Sequence, residues 1–419
     1  MILPAAARFD AADRIHRSSP EVHSSPVSAL SHVRVIDLTQ VMAGPFCSML
    51  LADMGADVIK VEPPAGETTR HSNDYVVPGV SVSFNGLNRN KRGITLDLKQ
   101  PEGVAILKKL AATADVLVEN YRPGVAKRLG VDYDTLKPIN PRLVYCSVSG
   151  FGQTGPYAAR GGYDLIAQGM SGIMSVTGHP DRPPVKVGIP IADLGAGLFA
   201  AFGILCALRA RRVTGRGQFV DTSLFEAGLA LGVWESTEYW MTGRTPEPMG
   251  TAHRMNAPYQ ALSASDGHFT VGAGNAKLWP LFCAVIGRDD LVHDARFETS
   301  TARVKNRPAL QEEIETVTKT QPRDHWLARL EEAGIPAGPI YTIPEAHADP
   351  HARARQMVQQ VVHKVAGPIS VLGSPVKMSL TPPTLRKAAP DLGEDNAAVL
   401  AELGYSVDEI TAFRERQVI

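Results

Sequence analysis

The sequence predicts an α/β fold with a largely parallel β-sheet, and two observations support this prediction. Short apolar runs typical of buried strands recur along the first half of the chain, with segments of helical composition between them. Pro101 begins one such helix, in the first turn where proline is favoured. Strands that alternate with helices imply βαβ units, in which helices cover both faces of a parallel sheet.

The individual elements follow in chain order. Buried strands are predicted at residues 33–38, 57–62, 94–98, 116–120, 143–148 and 219–222. Helices are predicted at 44–54, from Pro101 through 107–111, and in the long apolar stretch that begins near Asp193. A hairpin strand at 267–273 and helices at 278–286 and 310–317 predict a smaller α+β unit at 250–325. Two last helices are predicted at 395–403 and 407–416.

Composition narrows the classes of function. The chain has 43 Lys and Arg against 43 Asp and Glu, so its formal net charge is zero. A chain with zero net charge does not attract nucleic acid or an anionic membrane as a whole. This does not exclude a local basic site that binds a small anion. The longest uncharged apolar run, residues 196–208, has 13 residues, fewer than the roughly 18 of a membrane span, which predicts a buried helix.

Other features predict the compartment of the protein. Residues 1–30 contain Ser, Pro and acidic residues without an apolar core, so we expect a flexible tail on a cytoplasmic protein. The four cysteines are scattered and form no CxxC pair, so each is expected to be a small buried apolar side chain. They are Cys47, Cys146, Cys206 and Cys283.

Several familiar motifs are absent from the sequence. No GxGxxG follows the first predicted strand, and there is no Walker A loop, HExxH or GxSxG. We therefore expect neither nucleoside-triphosphate chemistry nor a nicotinamide or metal cofactor.

A compact basic cluster, Asn-Arg-Asn-Lys-Arg-Gly at 88–93, precedes the third predicted strand. Lys91 and Arg92 of this cluster, together with Arg128, could hold phosphate groups through charge-assisted hydrogen bonds. The alternative is a solvated loop. The segment Asn-Tyr-Arg-Pro-Gly at 120–124 likewise is either a turn or the wall of a ligand site at a strand end.

Asp193 is a carboxylate at the start of an apolar, glycine-containing helix. One interpretation is a helix N-cap, which contributes about 1 kcal/mol to stability. The other is a functional carboxylate in a pocket, with backbone N–H groups nearby to stabilise an oxyanion. Residue chemistry alone favours the cap.

The sequence resembles the class III CoA-transferases, a family that includes the α-methylacyl-CoA racemases. The matching stretches are highly specific together and run from about residue 33 to the end of the chain. They are residues 33–45, 55–62, 87–98, 114–130, 139–150, 192–197, 214–217, 392–394 and 403–405.

The resemblance implies a Rossmann-like large domain, a small inserted domain and two interlocked subunits. In this chain the N-terminal part of the large domain would span 31–225, followed by a linker at 226–249. The small domain would span 250–325, and residues 326–419 would contain a linker and the C-terminal part of the large domain.

The resemblance also assigns a catalytic role to Asp193. In the family's transferases this carboxylate attacks an acyl-CoA thioester to give a mixed anhydride, and CoA thiolate then gives an aspartyl-CoA thioester. The acceptor acid takes CoA from that intermediate. Such covalent steps divide one difficult transfer into easier ones.

Residues for the CoA substrate follow from the same resemblance. Val41 and Ala43 match positions whose backbone lines the CoA site. Leu96 and Asn120 match contacts to the adenine and pantetheine portions, and Arg128 matches an arginine that contacts phosphate.

One position separates transferases from racemases. The racemases have a Gly-His-Asp triplet, whereas this chain has Gly-Tyr-Asp with Tyr163 in place of histidine. Tyrosine has an ordinary pKa near 10 and is a poor base at neutral pH, which favours a transferase. Asp164 is expected either to orient the site by hydrogen bonding or to cap the helix that follows it.

We therefore expect a homodimeric enzyme that moves CoA from an acyl-CoA, with succinyl-CoA as a candidate donor, to a small carboxylic or dicarboxylic acid. His253 and Arg254 lie in a loop that resembles members acting on small dicarboxylates, where arginine could hold a distal carboxylate. A surface loop is the alternative for this segment. The rival functions are a racemase-like enzyme, a nicotinamide-dependent oxidoreductase and a silent acyl-CoA-binding protein.

Overall fold

The computed structural model describes residues 28–72, 77 and 80–419. Almost all of the predicted tail at 1–30 therefore lies outside the described residues. Three sheets are present in the described part. Their strands are β1 Arg34–Asp37, β2 Asp57–Glu62, β3 Lys91–Thr95, β4 Val116–Glu119, β5 Val144–Ser149, β6 Phe219–Ser223, β7 Tyr259–Ala264, β8 Gly267–Gly272, β9 Ala337–Pro339, β10 Val358–His363 and β11 Gly367–Leu372.

The helices cover the sheets and link them. Those in the first half of the chain are α1 Ala43–Asp53, α2 Val82–Leu87, α3 Pro101–Thr113, α4 Val125–Arg128, α5 Tyr133–Leu136, α6 Asp164–Met170, α7 Ile173–Val176 and α8 Ile191–Thr214. Those in the second half are α9 Leu224–Leu231, α10 Val233–Thr242, α11 Leu278–Ile286, α12 Asp290–His293, α13 Ser300–Lys305, α14 Arg307–Thr318, α15 Arg323–Glu332, α16 Ile343–Ala348, α17 Pro350–Ala354, α18 Asn396–Glu402 and α19 Val407–Glu415.

The main sheet has six strands in the order β3-β2-β1-β4-β5-β6, and every neighbouring pair is parallel. This confirms the predicted α/β fold with a parallel sheet. The strand order reverses between β1 and β4, and ligands of such sheets bind in the crevice outside the carboxyl ends at that point. The topology thus indicates where a site belongs before any side chain is considered.

Both faces of the main sheet are buried, as its apolar strands require. One face packs against α1 and α8. The other packs against α3 and also against Leu400 and Phe413 of the last two helices, so the end of the chain shares a core with Ile36 and Ile59. The C-terminal helices therefore stabilise the same sheet that the N-terminal half builds.

A separate core lies within residues 257–335 and is formed by β7, β8 and helices α11 to α15. The third strand of its antiparallel sheet, β9, lies beyond residue 325. Much of the segment predicted as a linker at 226–249 is helical, in α9 and α10. The division of the chain into domains stays a prediction.

Helix α8 is less buried than its composition predicted. Ala196, Ala200 and Ile204 pack in the core, whereas Phe202 is 67% exposed and Leu198 is 54% exposed. Cys206 of the same helix is also exposed, so its prediction as a buried side chain was wrong. Apolar composition alone does not distinguish a core helix from one that keeps an apolar face at the surface.

Candidate active site

A cavity of about 630 Å³ lies at the carboxyl ends of β1, β4 and β5, where the strand order reverses. Its wall is built by the loops after these strands and by the first turn of α8. Among the residues that line it are Val41, Ala43, Asn120, Arg122, Arg160, Tyr163 and Asp193. The cavity therefore contains five of the residues that the sequence predicted for the site.

Asp193 lies in the first turn of α8 but does not cap that helix. The N-cap residue is Pro190, which makes no side-chain capping bond. Burial, with a smaller contribution from the nearby negative charge of Asp164, raises the pKa of Asp193 to about 7. The helix-cap interpretation was therefore wrong, and Asp193 presents to the cavity a carboxyl group that ionises near neutral pH.

Asp164 holds the first turn of α8 from a neighbouring helix. Its Oδ1 atom accepts a hydrogen bond of 2.9 Å from the backbone N–H of Ala192, with a longer contact of 3.4 Å from that of Asp193. Its Oδ2 atom accepts a bond of 2.6 Å from Gln168. Asp164 thus positions the turn that carries Asp193, and the N–H groups expected there for an oxyanion are already occupied.

Two glycines bring this segment onto the sheet. A Cβ atom built on Gly162 would lie 2.7 Å from the Cα atom of Gly150, which follows β5. Only glycine at both positions allows this approach of two backbones. The close contact places Tyr163, which is 71% exposed, in the cavity wall.

Side chains from other parts of the chain hold Gln40 and Val41 in the loop after β1. The N–H of Gln40 donates to Oδ1 of Asn120 and the Gln40 carbonyl accepts from Nδ2 of the same amide, both at 2.8 Å. The N–H of Val41 donates to Glu67 at 3.1 Å. Val41 has φ of 67°, a strained backbone conformation for a β-branched residue, and such strain concentrates at functional sites.

Four buried charges lie beneath this loop: Asp37, Lys60, Glu67 and Lys91, here called the buried charge quartet. Lys60 donates to the carbonyl of Thr39 at 2.8 Å. Burial alone would raise the pKa of Asp37. Lys91, Lys60 and two hydroxyl donors instead lower this pKa to about 2. The quartet therefore fixes the chain at the point where the cavity begins.

Lys91 is a member of this quartet and not a phosphate ligand, which corrects the sequence prediction. Its side chain is fully buried, with Nζ 2.9 Å from Asp37, 3.0 Å from the carbonyl of Pro45 and 2.7 Å from Asn88. Burial lowers the pKa of Lys91 to about 8 despite the nearby Asp37. Its three donors are used within the protein.

Arg92 does not line the cavity either, and its predicted phosphate contact stays a prediction. Its guanidinium lies 2.7 Å from Asp57 and 2.6 Å from Glu402. Arg89 of the same cluster pairs with Asp53 at 2.6 Å. The basic cluster therefore serves internal ion pairs, because carboxylates distant in sequence fold onto it.

The remaining predicted CoA contacts differ in position. Leu96 is buried in the core just beyond β3 and does not line the cavity. Arg128 is exposed at the end of α4, one turn after Val125 of the cavity wall, and has no ion-pair partner in the described part of the chain. Contact of these residues with CoA stays a prediction, as it does for Val41, Ala43 and Asn120.

His253 and Arg254 do not line the cavity that contains Asp193. The Arg254 guanidinium lies 3.4 Å from Glu235 and donates to the carbonyl of Glu247 at 2.9 Å. The His253 ring packs between the rings of Trp234 and Tyr259. Within this subunit the loop is held against α10.

Sequence reasoning missed the residues that support the loop after β1. Glu67 and Lys60 gave no local signal, since their partners lie more than 20 residues away. Arg122 was part of a segment predicted as either a turn or a ligand wall, and the cavity favours the wall. Within residues 28–72, 77 and 80–419, no group of three His, Cys, Asp or Glu side chains could hold a metal ion.

Comparison with known proteins places this cavity in a family. The model of CoA-transferase family III matches residues 30–396. The succinate–glutarate CoA-transferase of Agrobacterium fabrum is 41% identical over 382 residues, 89% of this chain and 95% of that protein. The succinyl-CoA:glutarate CoA-transferase of Mus musculus is 38% identical over 385 residues, 92% and 88% of the two chains.

A solved structure agrees with these relatives. The crystal structure of a CAIB/BAIF family protein from Brucella suis superposes with a TM-score of 0.82 at 42% identity, covering 90% of this chain and 99% of that one. Its sequence and its fold match over the same large share of the chain. The chain with Asp193 in its cavity therefore belongs to CoA-transferase family III.

Proposed function

We propose that this CoA-transferase moves CoA from succinyl-CoA or a similar acyl-CoA to a small dicarboxylic acid through covalent intermediates on Asp193. The observation that carries the proposal is the placement of Asp193. It is the only acidic side chain among the described residues that line the cavity, and its pKa is about 7. Relatives named for glutarate as the acid support the choice of substrate class.

The chemistry proceeds by exchange at carbonyl carbons. The Asp193 carboxylate attacks the thioester carbonyl, and CoA thiolate leaves with the electron pair of the C–S bond. The thiolate then attacks the aspartyl carbonyl of the mixed anhydride and releases the first acid. The acceptor carboxylate attacks the resulting aspartyl thioester, and return of thiolate to the new acyl group frees Asp193.

The surroundings of Asp193 suit this sequence of steps. Partial burial disfavours its charged form and so makes the ionised carboxylate more reactive. Helix α1 begins at Ala43 in the cavity wall, so the positive end of its dipole lies near the developing oxyanion. Asp164 keeps the nucleophile in place.

The test is a transfer assay with purified protein, succinyl-CoA and a panel of acids that includes glutarate, with chromatography of the CoA products. We expect a new dicarboxylyl-CoA that depends on the acceptor and disappears in Asp193→Asn. Exchange of the Cα hydrogen of an acyl-CoA for solvent deuterium, without any acceptor, would instead establish the racemase-like alternative.

The same proposal includes a small domain at about 250–325 and a homodimer. An apolar surface on α8 and α10 supports the homodimer, since Trp240 is 76% and Met241 is 81% exposed. Exposed apolar areas of this kind mark interaction sites. In the described part of the chain, α8 alone is long and apolar enough to cross a membrane. One such helix is weak evidence for a membrane protein. We infer instead that α8 contacts a second subunit of a cytoplasmic enzyme.

A further inference from the structure

Two arginines line the cavity together with Asp193. Arg122 belongs to the loop after β4, and Arg160 is followed by Gly161 and Gly162 of the cavity wall. With Asp193 they are the only charged side chains among the described residues of the lining. A cavity with two guanidinium groups and one carboxyl group favours an anionic ligand.

Neither arginine has an ion-pair partner within the described part of the chain, although many arginines of this protein do. Arg70, for example, lies 2.7 Å from Glu62. The Arg160 guanidinium is instead 4.6 Å from the centre of the Tyr157 ring, which orients it while leaving its donors available. Both side chains are exposed at the rim and open to a ligand.

The backbone brings the two arginines to one short segment. A Cβ atom built on Gly161 would lie 3.2 Å from an Arg122 guanidinium nitrogen, so the Arg122 side chain lies against the residue that follows Arg160. From Gly161 the chain runs three residues to Asp164, which binds the turn that carries Asp193. Three residues span at most about 10 Å, so the arginines lie near the reacting end of the substrate.

We propose that Arg122 and Arg160 bind the distal carboxylate of a dicarboxylic acyl group and so select dicarboxylic over monocarboxylic substrates. This inference rests on the proposed function, since it assumes that acyl transfer occurs at Asp193. A planar guanidinium binds a carboxylate with two parallel hydrogen bonds. The diphosphate of CoA is separated from the thioester by the long pantetheine arm and belongs farther from Asp193.

The test compares succinyl-CoA with butyryl-CoA, which has the same chain length and lacks the distal carboxylate. The readout is the single-turnover rate at which CoA adduct forms on the Asp193 peptide. We expect wild type to prefer succinyl-CoA, and Arg122→Gln and Arg160→Gln to lower its rate about 10- to 100-fold without changing the butyryl-CoA rate. Arg414→Gln, on the exposed face of α19, is the matched control.

A second variant tests the geometry with both charges retained. Gly161→Ala adds a methyl group against the Arg122 guanidinium, and we expect a smaller loss with succinyl-CoA at an unchanged melting temperature. An unaltered selectivity in Gly161→Ala would contradict the placement of Arg122.

Three further outcomes would overturn the proposal. They are equal losses with both donors, a wild type without preference, and weaker binding of free CoA by the glutamine variants in calorimetry. The last would assign the arginines to the CoA phosphates. Failure of the proposed function looks different, because wild type would then form no adduct with either donor.

Discussion

At the scale of single residues, the proposed chemistry depends on the carboxyl group of Asp193, and a second carboxyl group, that of Asp164, lies close to it. Asp193 is desolvated, and Asp164 both binds its helical turn and opposes its ionisation. Burial is therefore the main cause of the raised pKa of Asp193, while Asp164 adds a smaller electrostatic contribution and positions the turn.

The pH dependence of turnover follows from this arrangement. Because the proposed mechanism requires Asp193 as a carboxylate, we expect kcat/KM to fall as the pH drops below about 7. Asp164→Asn keeps an acceptor for the Ala192 N–H but removes the negative charge, so the acid limb should move to lower pH. A pH profile of both enzymes checks this, and an unmoved limb would show that Asp164 has no electrostatic part.

The stability of the fold should depend on pH in the opposite direction. The raised pKa of Asp193 makes its stabilising contribution complete below the unfolded value of 3.8 and lost as the pH rises through about 7. Asp193→Asn removes that loss, so we expect it to raise the melting temperature more at pH 8 than at pH 5. Calorimetry at the two values measures the difference, and an equal change at both would contradict the desolvation of Asp193.

At the scale of elements, the loop after β1 depends on the buried charge quartet. Asp37 and Lys91 are both fully buried and 2.9 Å apart. A buried ion pair adds little net stability, but loss of one partner leaves a charge without solvent or counter-ion. The quartet is therefore sensitive to any change in a single member.

We expect Lys91→Met to destabilise the fold by about 3–5 kcal/mol, since Asp37 remains buried without its partner. Arg92→Met, the next residue, removes a partly exposed pair and should cost about 1 kcal/mol or less. Urea unfolding of the two variants measures both values. Because Arg92 pairs with Asp57 and Glu402, we expect Arg92→Met to leave the affinity for CoA unchanged. A tenfold loss would instead support the predicted phosphate contact of Arg92.

The sequence predicted these elements well where periodicity and burial agree. Strand β2 and helix α11 lie at their predicted residues. The β-branched Val58, Ile59 and Val61 favour a strand in the first, and the second is a dense apolar run that ends before Gly287. Strand β3 begins at Lys91, three residues before its prediction, because two basic residues in a strand suggest a loop until their partners are known. Partners such as Asp37 and Glu402 are set by tertiary folding, which local sequence does not contain.

At the scale of the whole molecule, α8 and α10 expose apolar faces that a partner would shield from solvent. Phe202 is 67% and Trp240 is 76% exposed. A second copy of the chain is this partner in the homodimer we propose. The sequence identified α8 as apolar and predicted a linker where α10 lies. It could not distinguish a buried face from one that contacts a partner, because both have the same composition.

The dimer gives a prediction for solution. We expect a dimeric mass by light scattering for wild type, and monomers or a concentration-dependent mixture for the double variant Phe202→Glu with Trp240→Glu. Val407→Glu, which changes an equally exposed apolar residue at the start of α19, is the control and should stay dimeric. A monomeric wild type would contradict the proposed assembly.

The proposed catalytic role of Asp193 also depends on the whole molecule. Residue chemistry favoured a helix cap for Asp193, and only the resemblance over nearly the whole chain assigned it to catalysis. The fold gives a physical reason, since the strand order reverses beside it and the cavity opens there. The arginines were harder to assign, because their convergence depends on glycines packed across two loops.

One measurement tests the central claim most directly. The protein is incubated with succinyl-CoA alone, digested and analysed by mass spectrometry. We predict a mass increase of one CoA less water on the peptide that contains Asp193, reversed by addition of glutarate and absent from Asp193→Asn. Full transferase activity in Asp193→Ala, or an adduct confined to another residue, would contradict the account.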